Sequence, residues 1–351
     1  MKDLEGNGIN LLQSPNAHIL TWGRSGQGKT FFCQKQIEQA RKAGQRIFVM
    51  DFSGSYTLEQ LKRNGIVSLD SLKEFSPYKT PYYFMPFFKT PRAFQESLSN
   101  ALISQLNIRG YFQKKLLLKS MEEHFKSHST WNPSEFQATM ELMLENLRSK
   151  LNTDPEATTR EDYENVGKIL ARFEPFASIH NFHVKMLNTA PIRQIPIQII
   201  QLSEFPEIQR EFLTELISEI LWTEIYSNPK IHRYDAIVFD EMQFMSLEKG
   251  RALANFLREG RKFGVSLILS TQFIANYNRE ELLTLLQAAT KIIFRTTEKE
   301  LRFTAELIDP QNAKSWERIV NNLERGQAIL SGQYTLNSGT KICESPIICK
   351  I

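Results

Sequence analysis

Residues Ala17-His18-Ile19-Leu20-Thr21-Trp22 form a short apolar run that enters the loop Gly23-Arg24-Ser25-Gly26-Gln27-Gly28-Lys29-Thr30. The loop has the spacing G-x-x-x-x-G-K-[ST], which works only with a strand before it and a helix after it. In such a loop backbone N–H groups cradle phosphates, the lysine reaches the β- and γ-phosphates, and the hydroxyl takes a place on Mg²⁺. The cradle falls here to Gly23, Arg24, Ser25, Gly26, Gln27 and Gly28, the phosphate contact to Lys29, and the ion to Thr30. Gly26 and Gly28 carry no Cβ, so the backbone can approach an anion closely. His18 to Trp22 reads as the entering strand and Thr30 to Ala43 as the departing helix. The N-terminus of that helix turns partial positive charge toward phosphate. No Gly-x-Gly-x-x-Gly spacing occurs here, which argues against a dinucleotide site.

The other half of such a site must come from later in the chain. Arg46 to Asp51 is an almost wholly apolar run, as expected of a parallel strand covered on both faces. Asp51 stands at its C-terminal end, the side on which open α/β sheets bind ligands. Tyr234 to Asp240 is a second such run, and it ends in the acid pair Asp240-Glu241. In P-loop ATPases an Asp at this place holds Mg²⁺, which assigns the ion to Asp240 together with Thr30. Glu241 is then the base that orients and deprotonates the attacking water, help worth ~10²–10⁴ in rate. An acid pair suits water activation and so weakens a small-molecule kinase reading. Gly264 to Ser270 is a third apolar strand, followed by Thr271-Gln272. Running beside the strand of Asp240, it brings the Gln272 amide near the γ-phosphate. Arg258, Arg261 and Lys262 sit at the end of a helix expected over Ser246 to Phe263. They either complement the helix C-terminus or supply an arginine to a neighbouring subunit's nucleotide, worth ~10³–10⁵ in kcat.

Between these strands, from Pro91 to His183, the pattern changes to amphipathic helices. Phe94, Leu98, Ala101 and Leu102 recur at helical spacing, as do Phe136, Met140, Met143, Leu144 and Leu147. Asn132-Pro133-Ser134 reads as a helix start. The expected organisation is therefore one α/β domain over residues 1–351, with a helical insertion at 91–183. The remaining expectations are a weak strand near Pro81 to Met85, strands at Ile195 to Leu202, Thr290 to Arg295, Gln327 to Ser331 and Ile342 to Ile348, and a helix at Glu207 to Tyr226.

A net charge of +4 over 351 residues is compatible with a nucleic-acid partner but too small to argue for one. The three cysteines, Cys33, Cys343 and Cys349, have no metal spacing and suggest a reducing compartment. No signal peptide is evident at Met1 to Asn10, and no apolar run approaches the ~20 residues of a spanning helix. The expectation is a cytoplasmic protein without stable membrane insertion.

Taken together, these residues resemble the HerA–FtsK superfamily of P-loop ATPases, and HerA-like proteins most closely. The likeness rests on His18-Ile19-Leu20 and the P-loop, Asp51-Phe52-Ser53-Gly54-Ser55-Tyr56, Phe239-Asp240-Glu241, and Arg258-Glu259-Gly260-Arg261-Lys262-Phe263-Gly264 leading to Ser270-Thr271-Gln272. Ile292-Ile293-Phe294-Arg295 and Leu323-Glu324-Arg325-Gly326-Gln327-Ala328 extend it. The resemblance implies a RecA-like core with a mainly parallel sheet, ATP and Mg²⁺ as cofactors, and a homo-hexameric ring around double-stranded DNA that it translocates. It also implies a nuclease or other effector as partner, and a trans role for Arg261, Arg258 or Arg295. Lys114, Lys115 and Lys119 in the helical insertion, or Lys299 and Arg302, are candidates for lining a channel, with a solvated helix face as the other reading. HerA proteins usually begin with a small β-barrel, whereas a short stretch precedes His18 here, so ring assembly or partner docking is expected to differ; Ser55 stands where the family often has an acid. Two other readings use the same nucleotide site: an ATP-gated ring scaffold that regulates an effector without moving DNA, and a conjugation or secretion ATPase of the VirB4 type.

Overall fold

A computed structural model describes residues 1–11, 18–65, 72–153, 157–187, 197–228, 235–337, 339 and 341–351. In chain order the strands are β1 (Lys2–Asp3), β2 (Ile9–Leu11), β3 (Ile19–Trp22), β4 (Arg46–Asp51), β5 (Leu72–Phe75), β6 (Tyr82–Phe84), β7 (Phe182–Val184), β8 (Ile197–Gln201), β9 (Asp235–Phe239), β10 (Val265–Thr271), β11 (Thr290–Ile293), β12 (Gln327–Ser331), β13 (Tyr334–Leu336) and β14 (Ile347–Lys350). The helices are α1 (Lys29–Lys42), α2 (Leu58–Arg63), α3 (Pro91–Gln105), α4 (Tyr111–Ser127), α5 (Pro133–Thr153), α6 (Ala157–Phe173), α7 (Glu207–Ser227), α8 (Ala252–Glu259), α9 (Arg279–Leu285), α10 (Leu301–Ile308) and α11 (Ala313–Asn321). Chain contacts divide the protein into one unit of Met1–Glu74, Ile195–Ile200 and His232–Ile351, and another of Phe75–Gln194 and Gln201–Ile231.

The first unit is built on a sheet of order β1-β14-β12-β11-β3-β10-β9-β4-β8-β5. Its centre is parallel: β11 pairs with β3, β3 with β10, β10 with β9, and β9 with β4. The flank of β12, β14 and β1 is antiparallel. Every residue of β9 and β10 is buried, which is why each carries an apolar run, Ala236 to Phe239 and Leu267 to Leu269. Beneath the sheet, Phe32, Cys33 and Ile37 of α1 pack with Val49, Val238, Ile268, Ile292 and Phe294. Cys33 is thus a small buried core side chain. This is an α/β architecture with a mostly parallel central sheet, as the motif spacing demands.

One expected helix is shorter than its pattern. Ser246 to Phe263 was to be continuous, yet α8 begins only at Ala252. Gly250 adopts φ 96°, outside the helical range, and breaks the run. Beyond Glu259 the chain tightens into a 3₁₀ turn, Gly260–Phe263, closed by Gly264 at φ 72°. Ahead of the P-loop strand, β2 pairs antiparallel with β13; residues 12–17 lie outside the described residues. Ile195, Pro196 and Tyr234, expected in strands, also lie outside them.

The second unit holds α3 to α7 and a parallel pair, β6 with β7. Its core is aromatic: Phe176 stacks on Phe212 at 3.9 Å, Phe173 meets both edge-on, and Phe136 meets Phe173 and Trp131. The Asn132 side chain accepts from the N–H groups of Ser134 and Glu135, so α5 starts where Asn-Pro-Ser foretells.

Candidate nucleotide site

Strand order decides what meets at the sheet edge. β10 lies between β3 and β9, so the loop after β3 and the acid pair after β9 are one strand apart. Register pairs Thr271 with Trp22 and Leu269 with Phe239. All three strands run parallel, so Gly23, Asp240 and Gln272 emerge on the same edge. There a cleft of about 240 Å³ is lined by Ser25, Gly26, Gly28, Lys29, Thr30, Phe31, Asp240, Glu241, Gln272 and Arg325.

The loop is shaped by its neighbours. Gly23 sits at φ 144°, and a Cβ there would stand 2.7 Å from the Phe294 Cβ and 3.0 Å from the Arg295 carbonyl oxygen. Arg24 N–H donates to the Arg295 carbonyl, and Gly326 N–H donates to the Gln27 carbonyl. Gly23, Arg24 and Gln27 therefore build the base of the loop and do not line the cleft. Gly28 caps α1 at φ 114° and offers no side-chain acceptor, and no acid stands in the first turn. The Lys29 ammonium donates to the carbonyls of Gly23 (2.5 Å) and Arg24 (3.1 Å). Burial lowers the Lys29 pKa, against the opposing pull of Glu241 and Asp240.

The acids are held differently from each other. Asp240 is buried and accepts from the Ser53 hydroxyl at 2.7 Å. Burial pushes its pKa up to about 6, with Glu241 and Asp51 adding to the rise while Ser53 and Lys29 oppose it. Asp51 accepts from the N–H groups of Ser55 (3.0 Å) and Tyr56 (2.8 Å), which folds the loop after β4 under Asp240. Glu241 has φ 61°, a left-handed conformation that a non-glycine residue adopts at a cost of order 1–3 kcal/mol. One carboxylate oxygen accepts from Gln272 Nε2 at 2.9 Å and the other from Gln243 Nε2. Gln243 in turn accepts from the buried Thr271 hydroxyl at 3.1 Å. Two amides thus fix the carboxylate.

The family model of the AAA-like domain matches residues 2–342. The chain belongs to that family. A comparison with curated proteins finds no match. Among solved structures, VirB4 of Thermoanaerobacter pseudethanolicus is similar at 16% identity and TM-score 0.62, covering 100% of this chain and 95% of that one. The plasmid coupling protein TrwB in complex with ADP and Mg²⁺ aligns at 14% identity and TM-score 0.64, over 95% of this chain and 86% of that one. TrwB with a non-hydrolysable GTP analogue aligns at 13% and 0.64, over 96% and 85%. At such identities the likeness speaks for the fold, which is that of a P-loop NTPase.

In this AAA-like chain the donor set fits a magnesium nucleotide. The Thr30 hydroxyl and the Asp240 carboxylate are hard oxygen ligands of the kind Mg²⁺ takes when it keeps several waters. The buried Asp240 carboxyl has a single side-chain donor among the described bonds, which leaves oxygen lone pairs for an ion. Arg258 and Arg261 do not line the cleft; Arg258 donates to the Thr284 hydroxyl on α9 at 3.1 Å. Arg295 donates to Asn321 at 3.4 Å. Three contributors escaped the sequence reading. Arg325 lines the cleft because Gly326 docks on the P-loop, a pairing no local pattern announces. Ser53 enters only as part of the resemblance, with no role assigned, and Gln243 carries no motif; only its spacing two residues past Glu241 hints at it.

Proposed function

We propose that the chain is a magnesium-dependent ATPase whose hydrolysis drives DNA transfer, of the conjugative coupling kind to which TrwB belongs. The supporting observation is the convergence of Lys29, Thr30, Asp240, Glu241 and Gln272 on one cleft. Lys29 gives up the carbonyls of Gly23 and Arg24 to bind the β- and γ-phosphates. Thr30 and Asp240 would hold the ion, whose chemistry when bound would be to offset charge on the phosphates. Glu241 takes the proton of the attacking water, and Gln272 reports the γ-phosphate to it through their shared hydrogen bond. Gln243 keeps the carboxylate aimed. A homo-hexamer surrounds the DNA, and Arg261, Arg258 or Arg295 of one subunit completes its neighbour's site.

A HerA-like translocase acting with a nuclease or another effector uses the same cleft. The run Arg258 to Gln272 favours it, and full-length likeness to VirB4 and TrwB weighs toward the coupling kind. Phosphate release and particle mass, measured with Mg²⁺-ATP in the presence and absence of duplex and single-stranded DNA, test the proposal. Hydrolysis should be lost in Lys29→Ala and stimulated by DNA, with a ring-sized mass. Unchanged turnover in Lys29→Ala would discard the ATPase. Turnover indifferent to DNA would leave a nucleotide-gated scaffold.

A further inference from the structure

The start of α4 has chemistry that the nucleotide site does not use. Residues 107–121, Asn107-Ile108-Arg109-Gly110-Tyr111-Phe112-Gln113-Lys114-Lys115-Leu116-Leu117-Leu118-Lys119-Ser120-Met121, contain no acid. Tyr111 is 74% exposed and Phe112 52%, and their rings meet edge-on at 5.6 Å. Arg109, Lys114, Lys115 and Lys119 are exposed around them. At 100° per residue, Tyr111, Lys115, Leu118 and Lys119 share one face of the helix with Phe112 at its border. Gly110 caps the helix without a side-chain bond, and the first turn holds no acid.

The start of α4 is tied to α6 by hydrogen bonds. Gln113 bonds Asn165 of α6 at 3.3 Å, and Arg172 of α6 donates to the carbonyls of Leu106 and Asn107. The apolar face proper, Leu116, Leu117 and Met121, is already buried, so the exposed rings are not a core face left open. Beyond Lys119 the face meets a groove of about 660 Å³ lined by Lys119, Lys126, Lys150, Leu142 and Met143 among others. Two acids, Glu123 and Glu135, also line it, and Glu123 is paired with Lys126 at 2.7 Å. Glu122 is the first exposed acid along the helix.

We propose that this face of α4 binds single-stranded nucleic acid, with bases stacked on Tyr111 and Phe112 and phosphates on Lys115 and Lys119. Exposed rings interleaved with cations are what a single strand requires, because every base has a π-face while the backbone charge is constant. A duplex hides its base faces and has no use for the two rings. A membrane surface calls for a broad apolar helix face, and here that face is spent on the core. The inference rests on the reading that this chain handles DNA.

The test uses the full chain with labelled oligothymidylate and a duplex of mixed sequence, followed by fluorescence anisotropy over a salt series. Tyr111→Ala combined with Phe112→Ala should weaken oligothymidylate binding by on the order of tenfold or more and leave duplex binding in place. Lys115→Glu combined with Lys119→Glu should weaken both and flatten the salt dependence. ATP hydrolysis without DNA should be unchanged in each variant. Variants that bind oligothymidylate like the parent, while DNA still stimulates hydrolysis, overturn this site and spare the DNA-transfer reading. A parent that hydrolyses ATP but binds no DNA overturns both. Loss of binding to phosphatidylserine vesicles, or a change in particle mass, with single-strand binding intact would reassign the face to a membrane or to another copy of the chain.

Discussion

At the scale of single residues the chemistry concentrates on Glu241. Its backbone is left-handed and its carboxylate is held by Gln243 and Gln272. Replacing Glu241 by Gln preserves shape and removes the base. Phosphate release should fall ~10²–10⁴-fold while a fluorescent ATP analogue still binds; normal turnover would remove the base assignment. Gln243 is not among the residues that line the cleft and bonds Glu241 and Thr271 instead, so Gln243→Ala should act on aim alone. We expect kcat to fall on the order of tenfold with KM little changed, the mark of an interaction made in the transition state. A rise in KM at constant kcat would make Gln243 part of the binding surface instead. His18 is a different kind of residue: it is buried, and its Nδ1 accepts the N–H of Leu267 at 3.0 Å, tying β3 to β10.

At the scale of elements, the P-loop is a strand-to-helix turn wedged between two others. The stretch after β11 presses Phe294 and Arg295 on Gly23, and the turn before β12 presses Gly326 on Gln27. Gly23→Ala therefore meets both a forbidden φ and a 2.7 Å contact. Denaturant unfolding should show a loss on the order of 3 kcal/mol, along with weakened nucleotide binding. Adding Phe294→Ala should return none of the loss, because the atom in the way is the Phe294 Cβ, which alanine keeps, and the Arg295 carbonyl oxygen stays 3.0 Å away. An unchanged unfolding midpoint in Gly23→Ala would mean that the loop relaxes freely and is not clamped.

At the scale of the whole molecule, stability should have an acid limb set by buried histidines. Burial holds His18 at about 4, against 6.5 in a free side chain, and does the same to His124 in the helical unit. Between these values the unfolded chain binds the protons and the folded chain does not. Stability is therefore complete above pH 6.5 and is lost as the pH falls toward 4, by on the order of 3 kcal/mol per histidine. His18→Asn, whose amide oxygen can still accept from Leu267, should flatten that limb in urea midpoints measured across this range. An unaltered limb would assign it to other groups.

Much of the core was open to reading from the chain itself. β4 and β12 run over the very residues their apolar patterns mark, and the loop of Gly23 to Thr30 must lie between a strand and a helix because its chemistry demands both. Local rules, the alternation of burial and the spacing of ligands, carry that information along the backbone. Other features depend on how separate elements come together, whether the partners are near in the chain, as Gln243 is to Glu241, or far, as Ser53 is from Asp240. That β10 separates β3 from β9, that Ser53 reaches Asp240, that Gln243 and Gln272 share Glu241, and that Arg325 enters the cleft are outcomes of how strands order in a sheet. Sequence alone thus determined which groups can grip a phosphate and a metal ion. Only tertiary structure decided which partners hold those groups in place, because a side chain's neighbours across a sheet are set by packing free energy summed over the fold and not by distance along the chain.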